Sequence, residues 1–141
     1  MLGIDNAFSE EFEPDGDNLV IKFITDENGV TDRKLRVGGF GVELVKDGLV
    51  RKLYGDKSVV RERHRHRFDV VREKISDLED HGLHFVGRST DGSITKIFEL
   101  EDHPFFVGVQ FHPEFSARPT HPHPLKSGLL SSAYSIFNKR R

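Results

Sequence analysis

Gly108-Val109-Gln110-Phe111-His112-Pro113-Glu114-Phe115 is the stretch on which the reading of this sequence turns. The residues leading into it, from Phe105 to Phe111, are almost wholly apolar, as in a strand covered on both faces. The run ends in an imidazole and a carboxylate two positions apart. Functional residues of α/β sheets emerge at the carboxyl ends of such strands. In extended backbone, positions i and i+2 point to the same side, so His112 and Glu114 are expected to approach one another, with Pro113 bending the path. A carboxylate beside an imidazole fixes its tautomer and stabilises the imidazolium form. The pair therefore has the chemistry of a general base and its orienting partner, lacking a nucleophile. The competing reading is a loop histidine beside a solvated glutamate.

Outward from this segment, the sequence has 141 residues, the size of one ordinary domain. Hydrophobic residues make up 35%, low for a chain that closes a core by itself, and Phe supplies much of that apolar content with 12 residues. A net charge of −2 argues against a nucleic-acid partner held by bulk electrostatics. No apolar run approaches the roughly 18–20 residues of a membrane span. The start, Met1-Leu2-Gly3-Ile4-Asp5, lacks the basic and apolar regions of a signal peptide, so the cytoplasm is the expected compartment. There is no cysteine, which excludes disulfides, thiolate metal sites and a cysteine nucleophile on this chain.

Residues Leu19 to Thr25 read as a strand, and Asp26-Glu27-Asn28-Gly29 as a turn. The Gly-rich stretch from Thr31 to Lys46 reads as a loop leading into a strand near Val42–Val45. Asp47-Gly48 is a hairpin signal, followed by Leu49–Tyr54. Ser58–Phe68 is expected to be extended. Val70–His81 has Val71, Ile75 and Leu78 at helical spacing, with Gly82 as the stop. Leu83–Arg88 and Ile94–Leu100 read as strands joined through Asp91-Gly92. After a proline-rich loop, Leu129–Asn138 reads as a terminal amphipathic helix. Strands outnumber helices, and two helices cannot cover both faces of a large sheet. The chain is either an α+β domain or the C-terminal part of a larger α/β domain.

Three other clusters carry chemistry. In Arg61-Glu62-Arg63-His64-Arg65-His66-Arg67-Phe68, an extended backbone puts Arg63, Arg65 and Arg67 on one face and His64, His66 and Phe68 on the other. Arginine forks recognise carboxylates, so the face suits an anion; a basic edge strand that resists aggregation is the bland alternative. Ser9-Glu10-Glu11-Phe12 is an acidic turn that suits an ammonium group or is simply solvated. His121-Pro122-His123-Pro124 has no third ligand nearby and reads as a solvated loop, so no metal site is expected.

Together these segments resemble the C-terminal glutaminase domain of the CTP synthase family, within the class I (triad) glutamine amidotransferases. Gln110-Phe111-His112-Pro113-Glu114 alone is similar to that wider class. Glu62-Arg63-His64-Arg65-His66-Arg67-Phe68, Asp102-His103-Pro104-Phe105-Phe106-Val107, Phe115 through Arg118-Pro119, Val50-Arg51-Lys52-Leu53-Tyr54 and Ser9-Glu10-Glu11-Phe12 resemble CTP synthases specifically, and the Arg-His-Arg-His-Arg strand disfavours a GMP synthase-type glutaminase. The likeness runs from about Gly3 to Leu130. It implies an α/β fold: the C-terminal portion of a flavodoxin-like class I glutaminase over residues 1–141, strand-rich, with about two helices and an incomplete parallel sheet.

The resemblance also implies roles. His112 matches the catalytic base and Glu114 its orienting partner. Glu11 matches the carboxylate that holds the α-amino group of L-glutamine, and Arg67, with Phe68 beside it, the arginine that pairs with its α-carboxylate. In the family a cysteine thiolate attacks the glutamine amide, histidine shuttles the proton, and the ammonia passes to a synthase domain that uses ATP and Mg to aminate UTP to CTP, with GTP as effector. No cofactor is implied for this chain itself.

The sequence departs from the family in three places. The nucleophile elbow precedes Ser-x-Glu-Phe in the family, and this sequence holds neither the elbow nor the synthase domain. Loss of triad chemistry can remove ~10⁶-fold of rate, so the isolated chain is expected to be inactive. The alternative is a degenerate module that binds or assembles without catalysis. Asp32-Arg33-Lys34-Leu35-Arg36-Val37-Gly38 replaces the family's usual Gly-Gly-Thr-Met-Arg-Leu-Gly in a loop tied to GTP activation, so the resemblance does not extend to the residues of that control. Phe8 replaces an Asn, and with Phe12 and Phe105–Phe111 it leads to an expectation of self-association.

Overall fold

The computed structural model describes residues 3–25, 31 and 33–139, so the expected turn at Asp26-Glu27-Asn28-Gly29 lies outside the described residues. The chain runs β1 (Phe8–Ser9), β2 (Leu19–Phe23), β3 (Arg36–Leu44), α1 (Leu49–Leu53), β4 (Val59–His66), β5 (Phe68–Val70), α2 (Ile75–Asp80), β6 (Leu83–Ser89), β7 (Thr95–Leu100), β8 (Val107–Val109) and α3 (Pro124–Lys139). Five strands form one sheet in the order β4-β3-β6-β7-β8, antiparallel at each pairing. β1, β2 and β5 form a second sheet. Parallel pairing is confined, among the described residues, to β1 with β2. The larger sheet curls until its two ends meet: Phe111, just past β8, bridges to His64 in β4, and the His112 N–H donates to the Arg63 carbonyl at 2.9 Å.

The main core fills the curl. Val42, Leu44, Val50, Val60, Val86, Ile97, Phe111 and Leu125 form one buried cluster. Burying a side chain of this size contributes about 1.5–3 kcal/mol. A second cluster joins Leu78 of α2 to Leu83 and Phe85 of β6, with Val20, Val70 and Phe98 packed against it.

β4 alternates as its sequence predicts: Glu62 and His64 are buried, while Arg61, Arg63 and Arg65 face out. The Gly-rich stretch, expected as a loop, is instead the middle of β3. A Cβ at Gly39 would stand 2.9 Å from Arg61 Nε, and one at Gly41 2.9 Å from Thr90 Cγ2, so glycine lets neighbouring side chains cross the strand. Asp47-Gly48 does not turn a hairpin. It opens α1, whose free N-terminal amides at Leu49 and Val50 donate to the Glu99 carboxylate at 3.1 and 2.6 Å. That cap comes from β7, so no local pattern announced it. The helix expected from Val70 begins at Ile75 because Phe68–Val70 pairs with β2. Gly82 stops it at φ +85°, where a side chain would be strained. α3 starts at Pro124, five residues before the expected Leu129. The His123 ring Nδ1 accepts the Leu125 N–H at 3.2 Å, and proline suits the first helical position. The helix docks through Leu125 and Gly128; Leu130 and Tyr134 stay exposed.

Candidate functional site

The end of β8 delivers Gln110 and Phe111 to the place where the sheet closes, and His112 follows. Its main chain is not extended beyond that point. Pro113–Phe115 is a single 3₁₀ turn with His112 as its N-cap and proline at its first position. The turn still brings the ring and the carboxylate together: His112 Nδ1 lies 2.8 Å from Glu114 Oε1. The expected contact forms, but through a tight turn rather than through strand periodicity. Glu114 accepts from its own backbone N–H and from His112, and these bonds hold its carboxyl below the usual carboxylate range. With Nδ1 donating to Glu114, the His112 Nε2 lone pair is left to accept a proton. Both side chains are solvent-accessible, at 37% and 54% exposure, so the pair is open to a reacting group.

A cleft of about 440 Å³ lies beside this turn, lined by Glu11, Leu35, Arg65, His66, Arg67, Phe68 and Gln110. The fold thus brings Glu11, Arg67 and Phe68 to one cavity although 56 residues separate Glu11 from Arg67 in sequence. His112 and Glu114 are not among its lining residues, but Gln110 joins the cleft to the turn. Arg67 lies over the Phe23 and Phe68 rings, at 5.6 and 5.5 Å from their centroids. Such stacking holds the guanidinium without occupying its forked donors. In the acidic turn, Glu10 is spent on structure, accepting the Phe23 N–H at 2.9 Å, which leaves Glu11 exposed at the rim. The cleft therefore offers the Glu11 carboxylate and the Arg65 and Arg67 guanidiniums, charges of both signs such as hold the two ends of a free amino acid.

Beneath the cleft is a buried polar layer that the sequence did not announce. Asp69 accepts from the Thr95 N–H at 3.0 Å, from the Thr95 hydroxyl, and from Gln110 Nε2 at 3.0 Å. Burial raises the Asp69 carboxyl despite those bonds. Lys96 is buried at 1% exposure, with Nζ 3.3 Å from His66 Nε2. Burial, then the charge of Arg36, brings its ammonium down to about 8. Burial, then Lys96, brings both His64 and His66 to about 4, so both are neutral at pH 7.

A second layer lies behind the His112 turn. His123, expected in a solvated loop, is 2% exposed, and its Nε2 lies 3.2 Å from Glu62 Oε1. The Tyr54 hydroxyl donates to the same oxygen at 2.8 Å, and the Ser116 hydroxyl to Glu62 Oε2 at 3.1 Å. Burial alone would raise Glu62, but the bonds from His123, Tyr54 and Ser116 outweigh it and leave the carboxyl below its ordinary range. The parity of Glu62 with His64 on β4 was the one sequence signal for this carboxylate; for His123 there was none. Among the described residues no group of three or more His, Asp or Glu side chains is placed to hold a metal ion, and no helix is long and apolar enough to cross a membrane.

Comparison with known proteins bears on these arrangements. Residues 18–132 match the model of the family "Glutamine amidotransferase class-I". The CTP synthase of Encephalitozoon cuniculi is 63% identical over 134 residues, which cover 95% of this chain and 25% of that protein. The CTP synthase of Methanopyrus kandleri is 45% identical over 135 residues, covering 94% of this chain and 25% of its own length. The chain thus spans about a quarter of the length of the curated relatives it matches. Among solved structures, the glutaminase domain of Trypanosoma brucei CTPS with bound acivicin aligns at a TM-score of 0.82 and 29% identity, over 95% of this chain and 53% of that one. A putative GMP synthase protein of Thermoplasma acidophilum aligns at 0.54 and 15% identity, over 77% of this chain and 49% of that one, a likeness of fold alone.

Proposed function

Because the chain belongs to the class I glutamine amidotransferases, we propose that it supplies the base, the orienting carboxylate and the amino-acid cleft of a CTP synthase glutaminase half-site. The observation that carries the reading is the His112–Glu114 contact at 2.8 Å beside a cleft that holds Glu11 and Arg67. Glu11 holds the α-ammonium of L-glutamine and Arg67, backed by Phe68, its α-carboxylate. His112 takes the proton from a cysteine thiol, passes it to the departing ammonia, and then activates water against the thioester, while Glu114 keeps the imidazole in the Nδ1–H form. The cysteine comes from outside these 141 residues. The ammonia goes to a synthase domain that binds UTP, ATP and Mg, with GTP as effector, and makes CTP in the cytoplasm as part of pyrimidine nucleotide biosynthesis.

The test is calorimetric titration of the chain with L-glutamine. Binding is expected, weakened at least tenfold in Arg67→Ala and in Glu11→Ala. No ammonia above buffer is expected from the chain alone. Absence of glutamine binding in the unaltered chain would overturn the reading. Binding that persists without any ammonia release, even after a cysteine-bearing elbow segment of the family is added, would favour a binding module instead. The reading also carries self-association through Phe12 and Phe8, at 81% and 38% exposure, whereas Phe111 of the apolar run is buried at 3%. Sedimentation that shows a monomer at all concentrations would refute that part.

A further inference from the structure

The turn that carries His112 and Glu114 is pinned to β4 at both ends. At its start, the His112 N–H donates to the Arg63 carbonyl at 2.9 Å. At its end, the hydroxyl of Ser116, the residue that caps the turn, donates to Glu62 Oε2 at 3.1 Å. Within it, the Phe115 and Ser116 N–H groups donate to the His112 and Pro113 carbonyls. Two consecutive residues of one strand thus fix five consecutive residues of the turn. Glu62 is itself fixed. Its other oxygen takes the Tyr54 hydroxyl at the end of α1 and sits 3.2 Å from His123 Nε2. The tautomer of His123 follows from its second nitrogen: Nδ1 accepts the Leu125 N–H, so Nε2 carries the proton and donates to Glu62.

A carboxylate with 5% exposure and donors from three separate elements is costly to build unless all are present. Hydrophobic side chains would fill the same space at no such cost. What the carboxylate provides that they cannot is a directional acceptor for Ser116.

We propose that Glu62, held by Tyr54 and His123, is a positioning residue that clamps the 112–116 turn through Ser116 and so keeps the His112 imidazole against Glu114. The proposal deepens the functional reading above and rests on it for the role of His112. With the clamp intact, the turn holds Glu114 at bonding distance from Nδ1 and the imidazole stays in the Nδ1–H, Nε2-bare form that base catalysis requires. With the clamp removed, the turn frays, and the ring relaxes toward the Nε2–H form that free imidazole prefers in water.

The experiment is long-range ¹H–¹⁵N correlation of the imidazoles in the ¹⁵N-labelled chain at pH about 8.5, where unperturbed histidine is neutral. The unaltered chain is expected to show His112 mainly as the Nδ1–H tautomer. Ser116→Ala and Glu62→Leu are expected to raise its Nε2–H fraction at least twofold. Ser116→Thr, which keeps the hydroxyl, restores the original signature. If Glu62→Leu fails to fold, Ser116→Ala decides. A folded Ser116→Ala chain with the unaltered His112 signature overturns the proposal, as does an unaltered chain with His112 already in the Nε2–H form. A tautomer shift in a chain that binds no glutamine supports the clamp and refutes the functional reading, so the two failures are distinguishable.

Discussion

Gly108→Ala is a severe test of the packing that carries the chain to Gln110 and His112. Gly108 lies in β8, directly opposite Phe98 in β7. A methyl group there would fall 2.0, 2.5 and 2.5 Å from three atoms of the Phe98 ring. Comfortable carbon contacts are about 3.5–4.0 Å, so the ring or the strand must yield by about 1.5 Å. The ring has little freedom to do so, since Phe85 and Phe106 flank it at centroid distances of 6.3 Å each. Overpacking of this kind costs about 1–3 kcal/mol, and the absence of an escape route places it near 3. For a domain of this length each kcal/mol lowers Tm by about 3–4 °C, which gives a drop of about 10 °C in thermal unfolding followed by circular dichroism. If the ring is the obstacle, Phe98→Ala in the Gly108→Ala background relieves it, and the double variant is less destabilised than the two single losses summed. A Gly108→Ala chain within about 0.5 kcal/mol of the unaltered protein in urea unfolding, the size of the additivity error, would refute the argument; so would an additive cycle.

Three further outcomes follow from the buried charges. The folded pKa of Lys96, about 8, lies below its unfolded value near 10.5, so the unfolded chain holds the extra proton between those pH values and stability rises with pH across them; Lys96→Met is expected to abolish that rise in Tm and to gain about 2 kcal/mol at pH 7, and a Tm that falls at pH 7 refutes it. His123→Ala removes a donor from the buried Glu62 carboxylate and is expected to cost about 3 kcal/mol at pH 7 by urea unfolding. Because the folded pKa of Glu62 lies below its ordinary 4.5, its stabilising contribution is full above that value and is lost as pH falls through the folded one, so the gap between His123→Ala and the unaltered chain should narrow on acidification; a gap that widens counts against the assignment.

Where the controlling interactions are local, the sequence was legible. The alternation of Arg63, His64, Arg65 and His66 on β4, the stop at Gly82 and the Asp91-Gly92 turn between β6 and β7 all depend on neighbours within a few residues. The departures share a different origin. α1 depends on a carboxylate from β7, and the early start of α3 depends on an imidazole that β4 holds buried. β3 passes through a run of glycines because Arg61 and Thr90 lie across it. The same holds for the candidate site. Glu11, Arg67 and Phe68 share a cleft, but the polar layers behind it, Glu62 with His123 and Asp69 with Gln110, join residues 61 and 41 positions apart. Periodicity and turn chemistry do not reach that far.

The curl of the larger sheet has a kinetic side. Where β4 meets the Phe111–His112 segment, the backbone closure is a short bridge and the bond from the His112 amide to Arg63, supplemented by the Ser116–Glu62 side-chain bond, far less than the ladder of eight register pairs joining β3 to β4. Segments with few hydrogen bonds open at a lower free energy than the whole molecule. The ring of strands therefore has a latch, and the base of the candidate site is mounted on it. Opening the latch withdraws His112 from β4 and exposes its amide to deuterium exchange, while a ligand that selects the closed ring slows that exchange in proportion to its occupancy. The protection of one amide thus becomes a gauge of how often the half-site is assembled.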